Sequence, residues 1–247
     1  MKLSRSFPCI LFFALVPVVA SAQPASEASA PVVGPPLVCA PLLLPALPAS
    51  PARVIGGEAP ARYLLGPSDD VVIDAGTAEG MRDGQPFFVR RLVHDRFMPR
   101  SVHGLAVHTA GVLTIVDAQP HVSIARITQP CDGVLAGDYL EPFVSPVVPA
   151  PLADGVADFH ETARLVLADE RQHTGASGSL MVLDRGTARG VRPGQALTIF
   201  REALDGAGPV LEVGRARVML VRPDTALVRI EQVSDAVYTG DLVALHR

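Results

Sequence analysis

Two aspartates in matching contexts are the clearest candidates for acid–base chemistry in the sequence. Asp74 is followed two residues later by Gly76, and Asp184 is followed in the same way by Gly186. A two-lobed acid protease holds two such carboxylates close enough to share one proton, so that one acts as base and the other as acid. That motif needs a small hydroxyl residue between Asp and Gly, whereas an alanine and Arg185 stand there. Because a neighbouring guanidinium favours the ionised carboxylate, an aspartic-protease-like hydrolase is the alternative interpretation and not the preferred one.

Metal binding and nucleophilic catalysis have weaker support. The seven histidines form no His-Glu-x-x-His pattern, and no Cys-x-x-Cys pair occurs. His103, His108 and His121 lie in or near one insertion, which leaves a metal site there as an open alternative. The segment 177–179 lacks the Gly-x-Ser-x-Gly pattern of hydrolases, and no glycine-rich loop is followed by Lys-Ser or Lys-Thr. The sequence therefore predicts no catalytic residue, no metal ligand and no cofactor.

The cysteines indicate a possible cross-link. The chain has three of them, and Cys9 lies in an N-terminal segment that we expect to be removed. In an oxidising compartment the remaining pair, Cys39 and Cys131, is a candidate disulfide. Two unpaired thiols are the alternative, because a bridge requires Cα atoms within about 7 Å. A bridge would hold the segment before the first domain against the last turn of that domain.

The elements that carry these residues form an internal repeat. Residues 72–85 return as residues 182–195 at an offset of 110, and nine of the fourteen positions are identical. Near the end of each copy the offset falls to 103, so the first copy contains seven more residues (110 − 103). The sequence match places these extra residues within Val107–Ala125. Such self-similarity indicates a tandem duplication of one module of about 80 residues.

Each module is predicted to consist of short β-strands separated by glycine turns. The strands expected in the first copy are residues 62–65, 71–74, 87–91, 104–108, 122–127 and 137–140. Matching segments recur in the second copy, where the opening strand is expected at residues 164–167. About six short strands per module favour a small closed or nearly closed barrel, which leaves no exposed sheet edge.

The segment Asp-x-Gly-Thr-Ala-x-Gly-x-Arg-x-Gly-Gln of each copy is predicted to be a structural turn. Its glycines lie four residues apart and can supply positive φ or a close backbone approach. Its aspartate can accept hydrogen bonds from N–H groups of the turn. The residues assigned to structural turns are Asp74, Gly76, Gly80, Gly84, Gly137 and Asp138 in the first copy and Asp184, Gly186, Gly190, Gly194, Gly240 and Asp241 in the second.

Residues 1–22 are predicted to be a cleaved signal peptide. Lys2 and Arg5 give a positive start, an apolar run follows, and a small-x-small site ends at Ala22. A retained membrane anchor is the alternative, but the apolar run is shorter than the roughly 20 residues that span a bilayer. Residues 23–60 contain nine prolines and eight alanines and are expected to form a disordered tail. A first β-module over residues 61–144, a linker over 145–162 and a second β-module over 163–247 follow.

The repeated segments resemble known proteins. A strand ending in Asp, a turn with regularly spaced glycines, a further strand and a late Gly-Asp are similar to the small barrel modules of bacterial envelope proteins. Such segments occur in the periplasmic part of the rod-shape protein MreC and in the C-terminal modules of LysM peptidoglycan-binding proteins and flagellar assembly proteins. The likeness covers most of residues 62–247 and is best over residues 180–243. It implies a non-catalytic role in protein contacts. Since no LysM repeat is visible, it does not imply glycan binding.

These observations together give one expectation. The formal net charge of −4, which becomes −6 when Lys2 and Arg5 are removed, argues against a nucleic-acid-binding surface. We expect an all-β protein, a tandem duplication of a six-stranded barrel-like module behind a signal peptide and a disordered tail. It should be exported to the periplasm or outside the cell, with no transmembrane span after cleavage. We expect it to contact an envelope protein or the cell wall, with the insertion Val107–Ala125 as the first place to seek the contact surface.

Overall fold

A computed structural model describes residues 36–49, 51–57, 64–169, 172–203 and 208–247. The predicted signal peptide and the first part of the predicted tail lie outside these ranges. The described chain is built of β-strands, and its helical segments are the short 3-10 turns Leu37–Cys39, Thr77–Glu79 and Thr187–Arg189. Within these ranges no helix has the length and apolar character that crossing a bilayer requires. The described residues form one compact unit.

The second module is a closed six-stranded barrel. Its strands follow the order β8-β10-β13-β12-β11-β15 and return to β8, and β9 pairs with β14 as a separate two-stranded sheet. The strands are β8 (Ala157–Leu167), β9 (Thr174–Gly175), β10 (Leu180–Leu183), β11 (Ala196–Glu202), β12 (Val210–Val221), β13 (Ala226–Val233), β14 (Val237–Tyr238) and β15 (Leu242–His246). Alternate residues, such as Leu165, Met181 and Val228, fill the interior.

The first module is a curled sheet of the same design. Its strands are β1 (Leu42–Leu44), β2 (Val54–Gly57), β3 (Asp70–Ile73), β4 (Pro86–Leu92), β5 (Leu105–Ala118), β6 (Ser123–Pro130) and β7 (Tyr139–Pro142). The order is β2-β3-β6-β5-β4-β7, with β1 added to the start of β5. The two ends of the sheet meet at a bridge between Arg53 and Tyr139, where Val54 N donates to Asp138 O at 2.8 Å. The all-β, barrel-like fold is therefore confirmed, with a closed six-stranded barrel in the second module and a curled seven-stranded sheet in the first.

The opening strand of the first module is not where the repeat predicted it. Arg53 and Arg164 occupy equivalent positions, because the backbone N–H of each donates to the repeated aspartate of its own module, Asp74 directly after β3 or Asp184 directly after β10. The opening strand is thus β2, and not residues 62–65. Of that segment, Leu65 forms an isolated bridge with Val134, which corresponds to the β9–β14 pair. The first module consequently begins before residue 61, and β8 begins before residue 163.

The Pro/Ala-rich segment is ordered where the structure describes it. The prediction of disorder over residues 23–60 is wrong for β2 and also for residues 36–44, which we call the docked segment. Leu42, Leu43 and Leu44 of β1 are all buried and pair with Val107, Ala106 and Leu105 of β5. Burial of three leucines and their strand pairing offset the conformational entropy that is lost when this segment is ordered. A fully solvated proline-rich chain has no such compensation.

The seven extra residues of the first copy also lie elsewhere than predicted. Val89 pairs with Gly111, and Ile199 pairs with Gly214, so the offset has already changed from 110 to 103 between these two strands. The extra residues therefore extend the β4–β5 connection, residues 93–104, and the start of β5. We call residues 93–104 the insertion loop. The interval Val107–Ala125 is instead the paired β5–β6 hairpin. The offset of 110 would match the glycines at 104 and 214, whereas in the structure position 214 is equivalent to position 111.

Candidate functional site

The residues assigned to structural turns do lie in the tight connections between strands. Gly80, Gly84, Gly137, Gly190, Gly194 and Gly240 all have left-handed φ angles. Gly76 and Gly186 have a different reason to be glycine, because a Cβ at either would lie 2.0 Å from the carbonyl oxygen of Gln119 or Arg222. The N–H after each of them, on Thr77 or Thr187, donates to that same carbonyl. Each turn is thereby hydrogen-bonded to the tip of the hairpin in its own module.

The two aspartates of the motif close their own modules. Asp74 Oδ1 accepts a hydrogen bond from Arg53 N at 2.5 Å, and Asp184 Oδ1 accepts one from Arg164 N at 2.7 Å. The prediction that they accept from N–H groups of the turn is wrong; in the first copy Glu79 Oε2 does this, accepting from the N–H at position 76. An acid-protease dyad needs two carboxylates within mutual hydrogen-bond reach. Here each carboxylate is instead bound to the opening strand of its own module.

Asp138 and Asp241 are buried aspartates that form equivalent ion pairs in the two modules. Arg91 contacts Asp138 through two hydrogen bonds of 2.8 Å, and Arg201 contacts Asp241 through bonds of 2.7 and 2.9 Å. Each aspartate also accepts a backbone N–H three residues before it. The two arginines are related by the repeat offset of 110 and were not among the predicted site residues. Their co-occurrence with the Gly-Asp in both copies was the signal that could have identified these pairs.

The disulfide is present. Cys39 and Cys131 are bridged, with Cα atoms 5.4 Å apart and a sequence separation of 92. Cys39 belongs to the docked segment, and Cys131 directly follows β6. Thr109 of β5 adds a second attachment, because its Oγ1 donates to Ala40 O at 2.8 Å. The docked segment is therefore fixed to the first module both covalently and by hydrogen bonds.

The docked segment and the insertion loop cover one outer face of the second barrel. Their contacting residues include Leu37, Ala40 and Leu43 from the docked segment and Val93, Met98 and Val102 from the insertion loop. The face that they cover, which we call the outer patch, consists of Val166, Leu167, Leu180, Val182, Met219 and Leu227. The insertion was expected to make a contact surface for a partner. In the structure the extra residues lie mainly in the insertion loop, and this loop contacts the second barrel of the same chain.

A column of stacked side chains extends this contact at the surface. The ring of Phe97 in the insertion loop lies 4.3 Å from His173, and His173 lies 5.9 Å from Tyr238 of β14. Arg96 and Arg201 stand over the two outer rings, each at 5.0 Å from the ring centroid. Stacked rings and guanidinium groups attract each other through the ring quadrupole. The column therefore contributes to holding the two modules together.

An open cavity of about 410 Å³ lies beside this contact, between the docked segment, β4, the linker and the second barrel. We call it the interbarrel groove. Most of its lining is apolar, including Leu42, Leu43, Phe88, Val144, Val147, Val182 and Leu227, and its charged residues are Arg90, Glu141 and Arg222. Val144 and Val147 stand at the rim with exposed fractions of 76% and 77%. Its volume lies within the range of about 300–1,000 Å³ that is typical of ligand sites.

Arg90 is the buried charge of the groove. Its Nε donates to Glu141 Oε2 at 3.1 Å, its Nη1 donates to Thr109 Oγ1, and its guanidinium lies 4.0 Å from the centre of the Phe88 ring. Burial lowers the pKa of Arg90 from its ordinary value, and the Glu141 carboxylate opposes that shift. Burial also raises the pKa of the neighbouring Tyr139 phenol, with Glu141 adding to the effect. The carboxylate of Glu141 thus compensates the only buried guanidinium among the residues that line the groove.

Arg222 is the second cation of the groove and is exposed. Its backbone is fixed, since Arg222 O accepts from Thr187 N at 2.9 Å and Arg222 N donates to Thr225 O at 2.8 Å. Within the described ranges its guanidinium makes no ion pair and donates no hydrogen bond. The equivalent tip in the first module carries Gln119. Two cations and one anion leave the groove with one uncompensated positive charge.

A second cavity, also about 410 Å³, lies between the insertion loop and the second barrel. Buried His108 lines it, with Nε2 at 3.5 Å from an oxygen of Asp132 and Nδ1 at 3.9 Å from one of Asp169. His121 is elsewhere, 3.1 Å from Glu79 in the first turn, so the structure does not bring together the histidines considered as metal ligands. No group of three or more metal-binding side chains occurs in the described part of the chain.

Comparison with known proteins adds no family to this description: no protein-family model matches the chain, and no curated protein is significantly similar to it.

Proposed function

We propose that the chain is an exported protein of the bacterial cell envelope that works by binding another protein or the cell wall, without catalysis. The observation that supports this proposal most directly is the interbarrel groove. It is open, mostly apolar and bordered by exposed valines, and exposed apolar surface of this kind is typical of interaction sites. The disulfide supports the exported location, because such bonds persist in oxidising compartments. The two repeated aspartates, Asp74 and Asp184, support a non-catalytic role, since each is hydrogen-bonded to the opening strand of its own module.

Two measurements test the proposal. Mass spectrometry of the mature N-terminus in periplasmic and membrane fractions should find the chain beginning at residue 23; a retained Met1 in the membrane fraction would contradict export with cleavage. Chemical cross-linking in intact cells should then give specific adducts to an envelope protein or to cell-wall material. Val147→Asp should lose these adducts, whereas Val156→Asp should keep them, because Val156 is equally exposed and does not line the groove. Equal adducts from both variants would exclude the groove as the contact site.

A further inference from the structure

We propose that the interbarrel groove binds an extended polypeptide segment that has branched apolar side chains and a carboxylate, and that Arg222 pairs with this carboxylate. The inference rests on the proposed function and specifies the partner's chemistry. Three features of the groove support it: its apolar walls, the unpaired backbone of its rim and its single uncompensated charge.

The walls define the side chains of the partner. Leu43 and Phe88 come from the first module, and Val182 and Leu227 come from the outer patch of the second barrel. The outer patch is covered by the docked segment over part of its area and faces the open groove over the rest. Val144 and Val147 of the rim remain mostly exposed. Aliphatic side chains of a partner would bury this surface and gain the corresponding hydrophobic free energy.

The rim favours a peptide over a lipid. Within the described part of the chain, residues 144–151 neither donate nor accept a backbone hydrogen bond. Val144, Ser145 and Val147 line the groove, so unpaired N–H and C=O groups lie next to its apolar walls. An extended peptide supplies matching donors and acceptors, as in other cases where a peptide pairs with an exposed backbone. An acyl chain has no groups that could pair with them.

The charge defines the polar group. Arg90 is already neutralised by Glu141, whereas Arg222 has no acidic partner among the described residues. Its backbone is fixed by the turn at Thr187, so the guanidinium is presented from a rigid position. An arginine that meets a carboxylate at the edge of an apolar surface makes a strong, charge-assisted pair. The carboxylate is therefore the group that selects among apolar segments.

The test measures binding of a labelled peptide to the oxidised mature protein, residues 23–247, by fluorescence anisotropy. The probe is Ser-Val-Val-Leu-Val-Glu with a free C-terminus, and its uncharged counterpart carries Gln and a C-terminal amide. Arg222→Gln should weaken binding of the acidic probe about tenfold, while Arg222→Lys should weaken it less. Arg189→Gln is the matched control, an exposed arginine of the same barrel that does not line the groove, and should bind like wild type. The uncharged probe should bind about tenfold more weakly to wild type and should not respond to Arg222→Gln.

Several results would overturn the inference. Equal binding of the acidic probe by wild type and Arg222→Gln would remove the assigned role of Arg222. If dodecanoate binds more tightly than the peptide and its binding depends on Arg222, the occupant is a fatty acid instead. Absence of peptide binding at millimolar concentration, with Val147-dependent envelope adducts still formed in cells, would reject the peptide while leaving the proposed function standing.

Discussion

At the scale of single residues, the same Arg–Asp ion pair, with a buried carboxylate, occurs in both modules. Asp138 and Asp241 are nearly inaccessible to solvent, and each receives two guanidinium hydrogen bonds and one backbone hydrogen bond. A carboxylate that loses such partners, or a guanidinium left behind without its carboxylate, carries the full desolvation cost of an unpaired charge. The pair therefore matters more to stability than the exposed ion pairs of the same sheets.

Asp138→Ala should destabilise the protein by about 1–3 kcal/mol, because it removes three hydrogen bonds to a buried carboxylate, while Arg91 keeps Asp132 at 3.6 Å and the carbonyl oxygen of Gly133. Urea unfolding at neutral pH followed by circular dichroism measures the change. Asp70→Ala is the matched control in the same sheet, since it breaks the exposed pair with Arg126 and should cost only about 0.2–1 kcal/mol. An equal loss of unfolding free energy in the two variants would show that enclosure of the Arg91–Asp138 pair contributes nothing to stability.

At the scale of elements, the turns and the docked segment determine how the strands meet. Gly186 lies against the hairpin tip so closely that a methyl group would overlap the carbonyl of Arg222. The docked segment is held differently, by the disulfide to Cys131. The close glycine contact occurs in both modules, whereas the disulfide occurs once.

Gly186→Ala should destabilise the second barrel by about 1–3 kcal/mol, because the added Cβ meets backbone that can move only if the hairpin shifts. Gly56→Ala is the control, since a Cβ there has no atom within 4 Å. Thermal unfolding of both variants measures the difference. If Gly186→Ala melts with wild type, the close approach at this turn is not a structural requirement.

Removal of the disulfide should destabilise the protein and release the docked segment. For a bridge that spans 92 residues, the Cys39→Ser, Cys131→Ser double variant should lose about 2–5 kcal/mol. Limited proteolysis should then cleave within residues 36–49, which the oxidised protein protects. Dithiothreitol should produce the same change in wild type and none in the double variant. A double variant as resistant as the oxidised protein would show that strand pairing alone holds the segment.

The repeat made the strands and turns predictable from the sequence. The contacts between the two modules could not be predicted in this way. Two copies of the glycine motif and of the Gly-Asp pair located the barrel turns, because the conformation of a turn depends on the residues within it. The opening strand β2 was missed because Arg53 and Arg164 lie outside the visibly repeated segment. Docking of Leu42–Leu44 and the charge of the groove depend on residues far apart in the chain, and no periodicity reports such contacts.

At the scale of the whole molecule, the two copies differ in how their outer faces are covered. Leu180 of β10 is buried, whereas its equivalent in the first copy is the partly exposed Asp70. The equivalents of Val166, Val182, Met219 and Leu227 in the first module are Ile55, Val72, Val116 and Ile124, which are exposed or half-buried, so this face is apolar in both copies. On the second barrel the docked segment and the insertion loop cover it.

The isolated second barrel, residues 157–247, should therefore self-associate and bind a hydrophobic dye. Leu180→Asp in the same fragment should restore a monomer, because it gives the outer patch the residue found in the first copy. In the full chain the same substitution should instead destabilise, since an unpaired carboxylate would be buried under the docked segment. Sedimentation velocity and dye fluorescence measure the fragments. A monomeric wild-type fragment without dye binding would contradict this account of the outer patch.

The position of the disulfide also determines how the molecule would respond to a mechanical pull. Tension applied at the N-terminal end enters the body at Cys39 and crosses the sulfur bridge to Cys131. The chain between them, which would otherwise lengthen by roughly 300 Å at full extension, carries none of that force. The force runs instead from Cys131 through β7 into the linker that borders the interbarrel groove. A chain tethered at its N-terminal end would transmit tension directly to the rim of its binding groove and leave β1 to β6 unstretched.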